Sequence, residues 1–376
     1  MEPHIFEGYK VKNNVIFGDD DKLFLFQGAH AQFDYLCGKK EVSIYSIEEF
    51  NSNIKKRRAF CLDRGKDYLH VIFPCKPIIY QNNFNNLSFK PIYSDKHQSE
   101  GVLYPLNYLN FESSYYKNDT HCSPKGSWEC LTAIFKELSL EHQEEPLFKS
   151  EVRASGDLAV MIDETERSEE IEVFCGLKDR NIRSIREFSN QTMVQRNNGV
   201  IKILTNSFPV FDKRVLIFGD SFFGGNLLAM LSEFFKEVIY VRTPYFQSDL
   251  VPFIDPDIVL TGQAERYLTS GLSDNNILPI FSEYIFSGYD NSKIDDSFNK
   301  ALKAILSPKG GAVYNHWRNS FVGNSLRNKA LSLKKSNLRL ALDLINLASQ
   351  ALQGNDKINS IRDSIKSEYE YSVIDK

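Results

Sequence analysis

Residues 215–226 read VLIFGDSFFGGN: four apolar residues, a Gly-Asp-Ser turn, a Phe pair and two further glycines. The apolar run reads as a buried strand, and the small hydroxyl that follows it admits two readings. Either Ser221 caps the next helix, or it is a nucleophile presented at the strand end. Downstream, NLLAMLSEFFK has an amphipathic helical pattern, EVIYVRT and DPDIVLTG read as strands, and AERYL as the start of a helix. Strands alternating with helices predict an α/β fold with a doubly wound, mostly parallel sheet. In such sheets, sites form at the carboxyl ends of strands, which is where Ser221 lies.

Upstream, NNVIFG and KLFLFQG read as strands. SIEEFNSNIKKRRAFCLDRG reads as a helix with Ser46 and Glu49 as a capping box and Gly65 as its stop. DYLHVIFP follows as a buried strand ended by Pro74, so strand, helix and strand are expected to join one parallel sheet. SPKGSWECLTAIFKELSL (123–140) reads as a helix capped by Ser123 with Pro124 at its first position. Between Pro308 and Leu342 there are seven basic residues and no acidic one, and SNLRLALDLINLASQALQG then runs with helical period to Gly354. The expected organisation is an α/β domain over 1–310 and a helical extension over 311–376.

The chain has 376 residues, a net charge of −4 and a pI near 6.0, which argues against a nucleic-acid binder. No apolar stretch approaches the roughly 20 residues of a membrane span. The N-terminus, MEPHIFEGYKVKNNV, lacks the pattern of a secretory signal, so a cytoplasmic location with six free cysteines is expected. No His/Cys spacing suggests a metal site, and homo-oligomerisation stays open.

A serine hydroxyl needs a base and oxyanion donors to act as a nucleophile. The turn at 219–223 reads GDSFF, which is not the Gly-x-Ser-x-Gly elbow. Backbone N–H groups of Asp220, Ser221 and Phe222 are oxyanion candidates, with Gly224, Gly225 and Asn226 nearby. For the base, YYKNDTHCSPKG (115–126) places Asp119 two residues before His121, on one side of an extended segment. That pairing delivers an imidazole and the carboxylate that orients it. The alternative is a polar loop in which Asp119 accepts backbone N–H groups and His121 is solvated. Asp95 and His97 repeat the spacing without a helix cap to hold it. His316, in VYNHWRN, has no carboxylate nearby and is better suited to sugar contact beside Trp317. Cys122 reads as a buried thiol, because adjacent side chains diverge.

The two motifs and their order resemble the SGNH-hydrolase-like O-acetyltransferases of the alginate acetylation type (the AlgX/AlgJ family). There an Asp-Thr-His-Trp motif lies well upstream of a Gly-Asp-Ser-Phe motif; here the pieces are DTHC from Asp119 and GDSF from Gly219. FPCKPIIYQ (73–81) resembles the family's Pro-x-Lys stretch, SGDLAVMI its Gly-Asp-Leu element, and IDPDIVLTGQAERYL its Pro-Asp-x-Val…Glu-Arg segment. The resemblance spans about residues 14–270 and departs at Cys122, where the family has tryptophan. It implies Ser221 as nucleophile, His121 as general acid/base and Asp119 as its orienting partner. The implied activity is O-acetylation of a bacterial surface polysaccharide (capsule or O-antigen), with acetyl-CoA as the donor expected in the cytoplasm. Two other functions compete: a carbohydrate acetyl-esterase with the same triad, and a non-catalytic polysaccharide-binding or assembly subunit. The basic stretch 309–339 is either an anion-attracting surface or a solvated helix face.

Overall fold

The computed structural model describes residues 3–374 except 98, 179–183, 287, 289, 291–292 and 294. Four short strands open the chain: β1 (His4–Phe6), β2 (Tyr9–Lys12), β3 (Val15–Phe17) and β4 (Leu23–Leu25). They pair antiparallel in sequence order. NNVIFG and KLFLFQG therefore are strands, but in a small meander and not in the central sheet. Their connections are too short for a crossover. Asn13 and Asn14 take the left-handed conformation (φ 48° and 62°) that a two-residue hairpin turn demands.

The helix Ile44–Leu62 begins one turn earlier than expected: Ser43, not Ser46, is its cap, and its Oγ accepts the Ser46 N–H at 3.1 Å. β5 (Asp67–Phe73) then enters the central sheet, buried at all but its first residue. The other strands of that sheet are β6 (Val102–Leu103), β9 (Ile185–Ser189), β10 (Ile201–Asn206), β11 (Phe211–Gly219), β12 (Phe235–Arg242) and β13 (Ile258–Ala264). Their order is β6-β5-β13-β11-β12-β10-β9. β6, β5, β13, β11 and β12 run parallel; β10 pairs antiparallel with both β12 and β9, so it alone runs against the rest of the sheet. The doubly wound, mostly parallel sheet expected from the sequence is present. A separate hairpin, β7 (Pro146–Arg153) with β8 (Glu169–Leu177), supplies residues to the site.

The connection β11→β12 leads to one neighbour of β11, and β12→β13 returns to its other side. The carboxyl end of β11 is thus a topological switch point, where loops diverge and leave a crevice. Gly219 and Gly262 stand opposite each other in register there. A Cβ on either would meet the Phe223 ring at 2.7 or 2.6 Å, so paired glycines seat this fully buried ring beneath the turn.

The chain ends in helices Ala312–Leu333, Leu338–Ala351 and Asp356–Ile374. The first docks on the sheet: Tyr314 donates to Glu237 at 2.5 Å, Arg318 binds Thr205 and the Asn206 carbonyl, and Glu237 pairs with Arg214 at 2.6 Å. Two cations of the basic stretch are therefore structural, since Arg318 is buried and Lys309 pairs with Asp257 at 3.0 Å. Leu326, Ala330, Leu344, Ile345, Ile358 and Ile365 form a second core among these helices. Among the described residues, no helix is long and apolar enough to cross a membrane.

Candidate active site

Ser221 follows the end of β11 and opens a helical segment with a π-type turn at Phe223–Leu227. Its Oγ lies 2.8 Å from His121 Nε2, and His121 Nδ1 lies 2.7 Å from Asp119 Oδ1. The carboxylate can only accept, so Nδ1 carries the proton and Nε2 presents its lone pair to the hydroxyl. The same Oδ1 takes the His121 backbone N–H at 3.0 Å, which fixes the loop as well as the ring. The His121 ring packs on Phe222 with 5.1 Å between centroids.

The helix Pro124–Glu137 anchors this loop as expected, with the Ser123 Oγ accepting the Gly126 N–H at 3.1 Å. A Cβ at Gly126 would fall 1.9 Å from the Ser114 carbonyl oxygen, so glycine is what lets the helix approach. Gly156 plays the same part for the Gly-Asp-Leu element, where a Cβ would meet Asn118 O at 2.3 Å and Asp119 Cβ at 2.7 Å. That contact puts the Asp157 carboxylate on the Thr120 N–H (2.8 Å) and hydroxyl (2.5 Å), and the Asp157 N–H on Asp119 Oδ2 at 3.2 Å.

Three other groups brace Asp119 and its loop, one on the carboxylate and two on the backbone. Arg153, on β7, donates to Asp119 Oδ2 at 2.6 Å and lies 4.0 Å over the Tyr116 ring. Lys76 is buried and donates to the carbonyls of Leu23 (2.6 Å), Lys117 (2.9 Å) and Asp119 (3.1 Å). Glu169 accepts the Lys117 N–H at 2.5 Å. Burial pushes the Asp119 carboxyl up, but the hydrogen bonds and charges of His121 and Arg153 outweigh it and hold the group well below the usual carboxylate range. Asp119 therefore stays ionised beside the imidazole. Asp119, His121 and Asp157 set ligand atoms within 4.8 Å of one another. Both Asp119 oxygens already accept from His121 and Arg153, so a guanidinium stands where a cation's charge would fall.

These residues open on a cleft of about 490 Å³ lined also by Tyr116, Phe222, Gly224, Gly225 and Asn226. Several expected substrate contacts are corrected here. Asp220 does not face the cleft: its carboxylate accepts the Phe222 N–H at 3.0 Å and the Ala264 N–H at 2.7 Å, clamping the turn to β13. The Phe222 N–H is thereby used and cannot hold an oxyanion. The Asn226 amide is also engaged, on Tyr116 Oη (2.9 Å) and the Cys122 carbonyl (3.3 Å). A Cβ at Gly225 would meet nothing within 4 Å, so the backbone there faces open space, while Gly224 packs on Tyr240.

His316 and Trp317 line a different groove, with Phe188 and Phe321, and are not brought to Ser221. His97 is fully buried against Phe50 and its Nδ1 lies 3.2 Å from Ser94 Oγ, which makes it a core histidine. Cys122 is buried, as expected. The sequence reading assigned no role to Arg153 or Glu169, and none to Lys76, Asp157 or Glu265. The last three lie in the Pro-x-Lys, Gly-Asp-Leu and Glu-Arg pieces. Glu265 clamps the Cys75 and Tyr93 N–H groups at 2.7 and 2.9 Å.

No protein-family model matches this chain, and no curated protein sequence does. Several solved structures are similar. A DHHW family protein from Eubacterium siraeum shares 12% identity over 74% of this chain and 98% of its own, with a TM-score of 0.49. Bacillus cereus PatB1, in a structure with a sulfonyl adduct, shares 13% over 68% of this chain and 96% of its own (TM-score 0.48). The O-acetyltransferase domain of Pseudomonas putida AlgJ shares 14% over 78% of this chain and 98% of its own (TM-score 0.44).

Proposed function

We propose that the protein is a serine-dependent O-acetyltransferase that carries an acetyl group on Ser221 to a hydroxyl of a bacterial surface polysaccharide, such as capsule or O-antigen. The observation that carries this reading is the continuous chain Asp119–His121–Ser221, at 2.7 and 2.8 Å. The acetyl group and the sugar acceptor rest on the likeness of DTHC and GDSF to the acetyltransferase motifs. Acetyl-CoA and a cytoplasmic location are the proposed donor and setting.

In the first half-reaction His121 Nε2 takes the Ser221 proton as Oγ attacks the acyl carbonyl carbon. The tetrahedral oxyanion sits at the Ser221 N–H, at the positive end of the helical segment. Collapse breaks the bond to the donor, whose thiolate takes the proton from the imidazolium and leaves acetyl-Ser221. In the second, the acceptor hydroxyl gives its proton to Nε2 and attacks the ester. Ser221 Oγ leaves and recovers the proton. Asp119 stabilises the imidazolium twice per cycle.

A serine-directed sulfonyl fluoride should add to Ser221 by intact mass and leave Ser221→Ala unmodified; an unlabelled wild type would remove the proposal. Turnover of a chromogenic acetyl ester, with and without oligosaccharide, then separates transfer from hydrolysis. Acetylated sugar in the product marks transfer, and acetate alone marks an esterase.

A further inference from the structure

The whole chain carries a net charge of −4, yet the cleft reverses that sign. Its lining holds Arg153, Arg196, Lys202 and Arg242, with Asp119 as the one carboxylate among the described lining residues. Asp119 is already closed by Arg153 and His121. Lys202 shares its charge with Glu187 at 3.2 Å. Arg196 and Arg242 have no acidic partner within 4 Å among the described residues.

The backbone segments that carry the two arginines are joined. Arg242 ends β12 in register with Gly219, one strand over from the Ser221 turn. The loop carrying Arg196 is tied to it by backbone bonds, Gly199 N–H to the Arg242 carbonyl (3.0 Å) and Arg242 N–H to the Val200 carbonyl (2.8 Å). Asn190, fully buried, pins the foot of the loop through Gly199 O at 3.0 Å and Ile201 N–H at 2.6 Å. Exposed arginines on a convex surface are satisfied by water. Arg196 is exposed and Arg242 half-buried, but both line one wall of a reaction cleft, where each guanidinium offers a planar pair of donors that fits carboxylate or phosphate.

We infer that this wall is an anion subsite, in which Arg196 and Arg242 hold a phosphate or carboxylate of the donor or acceptor while the acetyl group moves at Ser221. The inference rests on the acyl-transfer reading for its context but not for its test. The two sources of the anion are the phosphates of a coenzyme A donor and the carboxylates of an acidic sugar acceptor.

The test is calorimetric binding to the Ser221→Ala protein, with coenzyme A, dephospho-coenzyme A, an oligogalacturonate and a neutral malto-oligosaccharide as probes. At least one anionic probe should bind about tenfold or more tighter than the neutral sugar, and weaken as salt rises. Arg196→Gln/Arg242→Gln should abolish that preference, while Arg327→Gln, on the helix Ala312–Leu333 and outside the cleft lining, leaves it intact. Thermal unfolding checks that the double variant is folded. Selective loss of coenzyme A binding assigns the subsite to the donor, with the dephospho form reporting the 3′-phosphate; selective loss of oligogalacturonate assigns it to the acceptor. Equal binding of charged and neutral probes, or a double variant that keeps the preference, would overturn the subsite. Failure of Ser221 to take the sulfonyl label with anion binding retained would overturn the acyl-transfer reading alone.

Discussion

Lys76 Nζ donates to the Asp119 backbone carbonyl at 3.1 Å, so a buried amine braces the residue that orients His121. The nitrogen lies within hydrogen-bond distance of three carbonyls, of Leu23, Lys117 and Asp119. Lys76→Met strands all three, which costs about 2–4 kcal/mol of stability and loosens the Asp119 loop. Burial, opposed by the Glu169, Asp119 and Asp157 charges, draws the amine down from 10.5 to about 7. Between those values the unfolded chain binds the extra proton, so this group's contribution grows as pH rises and is lost as pH falls through about 7. Urea midpoints at pH 6 and 9 should shift upward more for wild type than for Lys76→Met. Parallel shifts would remove the lysine's share.

Asp119→Asn keeps the shape of the loop but loses the carboxylate that stabilises the imidazolium, and the amide is free to flip the histidine tautomer. A fall in kcat/KM of about 10²- to 10⁴-fold on a chromogenic acetyl ester is expected. Because the native carboxyl is held low, its stabilising contribution is complete above the unfolded value near 3.9 and disappears as pH falls through the native one. The denaturation midpoint of wild type should therefore approach that of Asp119→Asn as pH drops from 5 to 2. A gap that stays constant over this range contradicts the assignment.

His316 is exposed and lines a groove apart from the Ser221 cleft. His316→Ala should change kcat/KM by no more than roughly twofold, the range of an ordinary surface substitution. A tenfold loss would mean that the acceptor extends from Ser221 as far as the helix Ala312–Leu333.

Ser221, Asp119 and His121 were legible because their cues are local. A strand ending in Gly-Asp-Ser and a Ser123–Pro124 cap two residues after His121 each speak within ten positions. The cleft was not legible, since it depends on which partner takes each polar group. Asn226 looked free in sequence, but its amide is used by Tyr116 and Cys122, and the Phe222 N–H is used by Asp220. Arg153 and Glu169 sit on a polar hairpin whose alternation says nothing of the loop it packs against. The first strands are legible as strands but their sheet is not, because pairing follows connection length more than apolar content.

Gly126 sets how closely the helix Pro124–Glu137 approaches the segment that leads into the His121 loop. In the helix Pro124–Glu137 a Cβ at Gly126 would sit 1.9 Å from the Ser114 carbonyl oxygen and 2.6 Å from its carbon. Backbone cannot yield as a side-chain tip can, so Gly126→Ala must push the helix away from residues 113–123. That movement breaks the Ser123 N–H bond to the Ser114 carbonyl (2.9 Å) and shifts the adjacent His121. Gly225→Ala meets nothing within 4 Å and serves as the contrast. Gly126→Ala should lower stability by about 3 kcal/mol or more, or prevent folding, whereas Gly225→Ala should unfold within a few degrees of wild type. Where Gly126→Ala does fold, Ser221 should label with the sulfonyl fluoride at least about tenfold more slowly, since a displacement near 1 Å at a catalytic base has effects of that order or greater. A Gly126→Ala protein with wild-type melting and labelling would show that the His121 loop is not held by this helix.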